Sequence, residues 1–135
     1  MMRNCRVTVR ASDGISTEAQ GTARRVLDAL HILYEEKDGA DPSAAAEKTH
    51  LVIGDAFFEV RRSGAVHSVM RFEEGVSREV LYQTPFGTLP MNLETIRLRI
   101  SRAPDEYRLE AEYLLLAGGE DPLPRSVSIT VQLSS

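Results

Sequence analysis

The segment Val127-Ser128-Ile129-Thr130-Val131-Gln132-Leu133 decides the fold class, because apolar and polar residues alternate strictly along it. Successive side chains of a β-strand point to opposite faces, so this pattern gives one buried face and one wet face. Residues 108–115 repeat the alternation. Turn-forming residues recur along the chain at a spacing of roughly 8–15 residues, which is typical of an antiparallel all-β meander. We therefore predict an all-β protein with little helix.

Between residues 86 and 100 the apolar positions change phase. They are odd-numbered up to Leu93 and even-numbered from Ile96 onward. A slip of one residue would turn the apolar side chains to water. A β-bulge near Glu94–Thr95 restores their direction, and bulges bend long strands around barrels. We predict one long bent strand here, with Ile96 facing inward.

Residues 17–37 can be interpreted in two ways. The apolar positions Val26, Leu27, Leu30, Leu33 and Tyr34 have helical spacing, so the local pattern favours an amphipathic helix over Thr17–Lys37. The alternative is a hairpin, with one strand over Glu18–Val26, a turn near Asp28, and Leu30, Ile32 and Tyr34 on one face. The other strands need pairing partners, which favours the hairpin. The residues alone leave both interpretations open.

Composition excludes several classes of protein. The chain has 135 residues, enough for one domain, and a net charge of −4. Nucleic-acid and anionic-membrane partners need a basic face, so we expect neither. The single cysteine excludes an internal disulfide framework and a thiolate-rich zinc site. Without an apolar leader at the start of the sequence, we expect a cytoplasmic protein.

Two sequence blocks resemble the YwiB-like family of bacterial domains of unknown function. The first runs over residues 60–75 and contains Arg-Ser-Gly-Ala-Val at 62–66 and Met-Arg-Phe at 70–72. The second, residues 82–89, is similar to the family's Tyr-x-Thr-Pro-Tyr/Phe-Gly-Thr signature. A looser match is Gly21, followed thirteen residues later by Tyr-Glu-Glu at 34–36. Together the blocks extend over about the whole chain.

The resemblance implies a single calycin-like β-barrel domain over residues 1–135, similar in shape to lipocalins and built from about 8–10 antiparallel strands. It also implies that residues 18–36 form two strands, which favours the hairpin. This sequence departs from the family there, because Arg-Arg-Val-Leu at 24–27 replaces aromatic and turn-forming residues. The family has no established activity, so the resemblance implies a fold and no reaction.

Several polar residues fall on the inward side of the alternation. An arginine that faces a barrel interior must be paired or hydrogen-bonded, since an isolated buried charge is very costly. Arg62 therefore has three possible roles: a structural ion pair with Glu36, a plug at the end of the barrel, or, with the tyrosine hydroxyls, a site for the anionic head of a small ligand whose tail lies on the apolar lining. The candidate ligand-binding residues are Tyr34, Glu36, Arg62, Ser68, Tyr82 and Tyr113.

The sequence contains no recognisable catalytic arrangement, and we predict no cofactor and no metal. His31, His50 and His67 lack metal-ligand spacing, and no nucleophile stands in a known motif context. The leading hypothesis is a non-catalytic barrel that binds a small anionic or amphipathic molecule. The alternatives are a protein–protein interaction module with a filled barrel and an enzyme in which Arg62, Tyr34 and Tyr82 polarise a substrate. The oligomeric state stays open.

Overall fold

The structure, a computed structural model, describes residues 2–12, 14–36, 47–118 and 121–134, with the side chain of Glu36 outside the description. Ten strands and no helix occur in these ranges. The strands are β1 (Met2–Ala11), β2 (Ser16–Val26), β3 (Ala29–Glu36), β4 (Glu47–Ile53), β5 (Phe58–Ser63), β6 (Ser68–Phe72), β7 (Ser77–Thr84), β8 (Gly87–Arg102), β9 (Glu106–Ala117) and β10 (Leu123–Leu133).

The ten strands form one antiparallel sheet in the order β6-β5-β4-β3-β2-β1-β10-β9-β8-β7. The first and last strands of this order, β6 and β7, meet at an isolated bridge between His67 and Gln83. The sheet therefore curls into a nearly closed barrel, and the region between β6 and β7 is called the seam below. The prediction of an all-β antiparallel barrel with about 8–10 strands is confirmed.

The inward faces of the strands form one buried core. Ile32, Leu51, Phe58, Leu93 and Leu109 are all fully buried in it. The rings of Phe58 and Phe72 stack at 4.6 Å between centroids, and Tyr113 meets Phe72 edge-on at 5.1 Å. Such aromatic pairs contribute stability beyond the burial of their area. Much of the interior is thus occupied by side chains.

Residues 17–36 form a hairpin, so the helical interpretation is wrong. Val26 of β2 pairs with Ala29 of β3, which leaves Leu27 and Asp28 as a two-residue turn. Leu27 has φ +56° and is 92 % exposed. A positive φ suits the short turns that join twisted antiparallel strands, although it is unusual for a branched residue. The helical spacing of the apolar residues was therefore overridden by cross-strand pairing.

The predicted bulge lies at the expected place in β8. The register between β8 and β9 shifts between Thr95 and Arg97, with Ile96 as the extra residue. Ile96 is 48 % exposed, so the prediction that it faces inward is wrong. The neighbouring turn satisfies the bulged backbone: the Gly75 amide donates to the Thr95 carbonyl at 2.8 Å, and the Thr95 amide donates to the Val76 carbonyl at 3.1 Å.

The face assignment of β6 can be tested by truncating one inward and one outward side chain. Phe72 is 3 % exposed and stacked, whereas Val69 is 50 % exposed. We expect Phe72→Ala to lower the free energy of unfolding by about 3–5 kcal/mol. Val69→Ala should lower it by less than about 1 kcal/mol, as is usual for surface positions. Urea unfolding curves measure both, and equal losses would contradict the assignment.

Candidate functional site

One row of inward positions crosses five neighbouring strands and is polar along most of its length. The register pairs Gly21 with Tyr34, Tyr34 with Thr49, Thr49 with Arg62, and Arg62 with Ser68. This set is called the polar row below. The next inward row along the same strands is apolar and consists of Ala23, Ile32, Leu51, Val60 and Met70. The polar row is therefore one side of the core, near the ends of β3 and β5 at Glu36 and Ser63.

Gly21 is required in the polar row because β2 and β3 approach each other closely there. A Cβ atom at this position would lie 2.5 Å from the Leu33 carbonyl oxygen and 2.9 Å from the Tyr34 Cβ. Glycine inside a strand often marks such a close backbone approach. Gly21 and Tyr34, which are thirteen residues apart in the sequence, thus form a direct cross-strand pair.

A groove of about 1380 Å³ opens beside the polar row. All five residues of the row line it, together with outward-facing side chains of β2–β5 and both strands of the seam. Among the residues that line the groove, five carry a positive charge and three a negative charge, on a chain whose net charge is −4. The positively charged residues are Lys48, Arg61, Arg62, Arg71 and Arg78, and the negatively charged residues are Glu35, Glu59 and Glu79. The groove is therefore locally positive.

Two side chains at the groove carry unused hydrogen-bonding capacity. Ser68 is 5 % exposed, and its Oγ has no hydrogen-bond partner among the residues that the structure describes. Arg71 donates from Nη2 to Glu73 at 3.2 Å, while its buried Nε has no partner within the described ranges. Among the side chains that the structure describes, none forms an ion pair with Arg62. A buried polar atom without a partner is costly, and it calls for an explanation such as a water or a ligand.

The structure brings together three of the six predicted site residues. Tyr34, Arg62 and Ser68 all belong to the polar row; Arg62 and Ser68 are direct cross-strand neighbours, Thr49 separates Arg62 from Tyr34, and Arg62 is exposed. Tyr82 is half-buried and packs against the core beside the His67–Gln83 bridge. Tyr113 contacts Phe72 on the apolar side of the interior, away from the row. The predicted Arg62–Glu36 pair lies outside the described residues.

Sequence analysis missed Thr49, which is 4 % exposed and stands between Tyr34 and Arg62 in the polar row. The alternation in Thr49-His50-Leu51 carried the signal, but the apolar run Leu51-Val52-Ile53 interrupts it. It also missed the contact between His31 and His50, whose Nδ1 and Nε2 atoms are 2.8 Å apart. These histidines belong to different strands, so their spacing along the chain does not reveal the contact.

Cys5 lies beside Gly21 in the register and is 1 % exposed. Burial raises the pKa of its thiol, while a hydrogen bond with the Gly21 backbone acts in the opposite direction. A buried thiol with a raised pKa is a poor nucleophile. Within the described ranges, no group of three or more His, Cys, Asp or Glu side chains could hold a metal ion. The same ranges contain no helix that is long and apolar enough to cross a membrane.

Comparison with known proteins agrees with this architecture. Residues 3–129 match the family described as Domain of unknown function (DUF1934). The chain belongs to this family. It is also similar to the crystal structure of the ywiB protein from Bacillus subtilis, with a TM-score of 0.82 and 20 % sequence identity over 99 % of this chain and 94 % of that chain. This likeness shows a shared fold, and the predicted YwiB-like resemblance is confirmed. A search of curated proteins finds no match.

The close approach at Gly21 gives a prediction about stability. Gly21→Ala places a methyl group against backbone atoms of β3, so we expect the free energy of unfolding to fall by about 1–3 kcal/mol. Gly118→Ala is the matched control, because a Cβ there meets nothing within 4 Å. The control should change stability by less than about 0.5 kcal/mol. Similar thermal melts for the two variants would contradict the close approach.

The histidine contact gives a prediction about pH. Burial lowers the pKa of His50, and the charges of His31 and Arg61 lower it further, while Glu59 acts in the opposite direction. The unfolded chain, with a histidine pKa near 6.5, then binds the proton more readily than the folded protein, so stability falls as pH drops through that value. Urea unfolding at a series of pH values should show this loss in the wild type and a smaller loss in His50→Gln. Identical pH profiles would contradict the account.

Proposed function

We propose that this barrel is a non-catalytic binding protein for a small carboxylate or phosphate, held at the polar row. The observation that carries the proposal is the buried Ser68 Oγ without a hydrogen-bond partner beside the groove. Ser68 is the direct cross-strand neighbour of Arg62. A hydroxyl and a guanidinium on adjacent strands can together donate hydrogen bonds to one oxyanion.

The local charge supports an anion as the ligand. Glu59 already pairs with Arg61 at 2.8 Å, and Glu73 pairs with Arg71 and Arg78 at 3.2 Å and 3.7 Å. Each of these arginines therefore has its charge at least partly compensated by a carboxylate. Arg62 and Lys48 have no ion pair among the described side chains, so positive charge remains in and beside the polar row. An anion placed there restores the balance of charge.

The filled interior limits the size and position of the ligand. The apolar row beside the polar row is packed into the core, with Ile32 and Leu51 fully buried. A ligand with a long apolar tail would have to displace these side chains. The groove instead offers the exposed side chains of Leu33, Val69 and Leu81 as apolar contacts near the polar row. The arrangement supports a ligand held at the barrel wall, with only a short apolar part.

A second candidate is the interaction module. Phe86 is 99 % exposed on a two-residue turn between β7 and β8. The turn is held in place because the Thr84 hydroxyl donates to the Gly87 carbonyl at 2.9 Å and accepts from the Phe86 amide at 3.2 Å. An aromatic ring on a fixed turn is an anchor of the kind that protein interfaces use. This observation supports partner binding at the turn and is independent of the polar row.

The anion proposal is tested with three variants and three probes. Arg62→Met removes the guanidinium while keeping much of the side-chain volume, and Ser68→Ala removes the hydroxyl. Each should weaken binding of inorganic phosphate, citrate or a short-chain carboxylate by about ten- to a hundredfold, the value of a lost charge-assisted hydrogen bond. Isothermal titration calorimetry measures the affinities, and circular dichroism checks that each variant is folded.

Arg10→Met is the matched control, because Arg10 is exposed on the outer surface away from the groove. It should bind the probes as the wild type does. An equal loss in Arg10→Met would mean that the anions respond to overall charge. Absence of binding in the wild type at millimolar probe concentrations would reject the anion site and leave the Phe86 turn as the candidate functional surface.

A further inference from the structure

The outer face of β3 and β4 carries a side-chain cluster that the proposed anion site does not use. His31 pairs with Val52 and His50 pairs with Leu33, so the two histidines are diagonal neighbours on the same outward face. Their ring centroids lie 5.1 Å apart with the ring planes tilted by 39°. We propose that His31 Nδ1 and His50 Nε2 bind one divalent transition-metal ion, such as Zn²⁺.

The spacing of the two nitrogens is close to what a shared ion needs. They are 2.8 Å apart. Two imidazole nitrogens at about 2.0–2.1 Å from one zinc ion are separated by about 2.9 Å at a right angle and by about 3.3 Å in a tetrahedron. To bring both lone pairs onto one ion, the nitrogens must separate by a few tenths of an ångström and each ring must turn its lone pair by about 35–45° away from the line that joins the two nitrogens. Imidazole nitrogen is a preferred ligand of zinc, copper and nickel.

The hydrogen bond between the two rings can be replaced by a metal ion that both rings share. A neutral imidazole carries one proton, so in the present contact one nitrogen donates and the other accepts. When the ion binds, the donating ring moves its proton to its other nitrogen, and both facing nitrogens then offer a lone pair. Two neutral rings thus bind the ion without net release of a proton.

The charged neighbours leave the site accessible to a cation. Arg61 is opposite His50 in the register, but it donates from Nη2 and Nε to Glu59 Oε2 at 2.8 Å and 3.1 Å, so its charge is partly compensated. Arg24 is opposite His31 and exposed to solvent, which screens it. At His50 the Arg61 charge lowers the pKa more than the Glu59 charge raises it, so this ion pair does not attract the cation, and the two imidazole nitrogens must supply the affinity.

The structure also defines what kind of metal site this is. No third His, Cys, Asp or Glu of the described residues completes a ligand set. Structural zinc sites use four protein ligands, whereas this pair leaves two or more positions to water or a small anion. The bound ion is therefore exchangeable and contributes little to folding. His50 also lines the groove, but neither histidine belongs to the polar row, so Arg62→Met and Ser68→Ala test the anion site without removing a metal ligand.

The test titrates Zn²⁺ into the chain without a polyhistidine tag at pH 7.5 by isothermal titration calorimetry. We expect one ion per chain. His31→Gln and His50→Gln should each lower the affinity by about 100-fold or more, because even the loss of an outer-shell partner costs about 10- to 100-fold. His67→Gln is the matched control, since His67 is exposed at the seam and should leave the affinity unchanged. Mg²⁺, which prefers oxygen ligands, should not bind.

A second measurement uses the wild type alone and therefore does not depend on folding of the variants. Paramagnetic Ni²⁺ should broaden the imidazole NMR signals of His31 and His50 at concentrations that leave His67 sharp. Equal broadening of all three histidines would overturn the proposal. So would zinc affinity that survives both His31→Gln and His50→Gln, or that falls equally in His67→Gln.

Discussion

Cross-strand register is the constraint on which the rest of this structure depends. Each strand exposes alternate side chains, so the pairing of Gly21 with Tyr34 fixes which residues of β2 and β3 face inward. The same register continues through Thr49 and Arg62 to Ser68. A slip of one residue in any of these pairs would remove one member from the row and expose part of the apolar core. The close approach at Gly21 excludes a side chain that would push the strands apart.

The register also explains why two different sets of polar side chains lie on the inward and outward faces of the same strands. Inward, a polar row adjoins an apolar row, so Ser68 and Arg62 stand at the margin of a dry core, where a hydrogen bond is stronger than in water. Outward, the same strands place His31 next to His50 and pair Glu59 with Arg61. Closure at the His67–Gln83 bridge brings the seam beside both sets. The groove therefore joins residues that are distant in sequence.

Sequence analysis predicted the fold because alternation and register are local signals in the long strands. The strands over residues 108–115 and 127–133, the bulge near Thr95 and the barrel architecture follow from periodicity and from the family resemblance. Two local features could not be predicted correctly from the sequence. The helical spacing around Leu30 reflects the two-residue turn at Leu27-Asp28, and Ile96 is exposed because the bulge itself absorbs the change of phase.

The candidate site was predictable only in part. Tyr34, Arg62 and Ser68 could be assigned to inward faces from alternation, but their adjacency depends on register across three strand pairs, and local pattern does not give that register. Alternation also assigns Tyr113 to an inward face, but this residue lies outside the polar row, against Phe72. The pattern within one strand thus indicates the face of the sheet on which a side chain lies, whereas the contact between His31 and His50 depends on pairing between strands. The calycin kinship and the single-domain assignment stay predictions.

Two-dimensional NMR of the labelled wild-type chain during a citrate titration tests the central claim most directly. If the polar row binds the anion, saturable shifts should concentrate on the amides of Thr49, Arg62 and Ser68 and on their cross-strand neighbours. Amides near exposed arginines outside the groove, such as Arg10 and Arg97, should stay unchanged. Shifts that spread over all exposed arginines without saturation, or a spectrum that does not respond, would contradict the account.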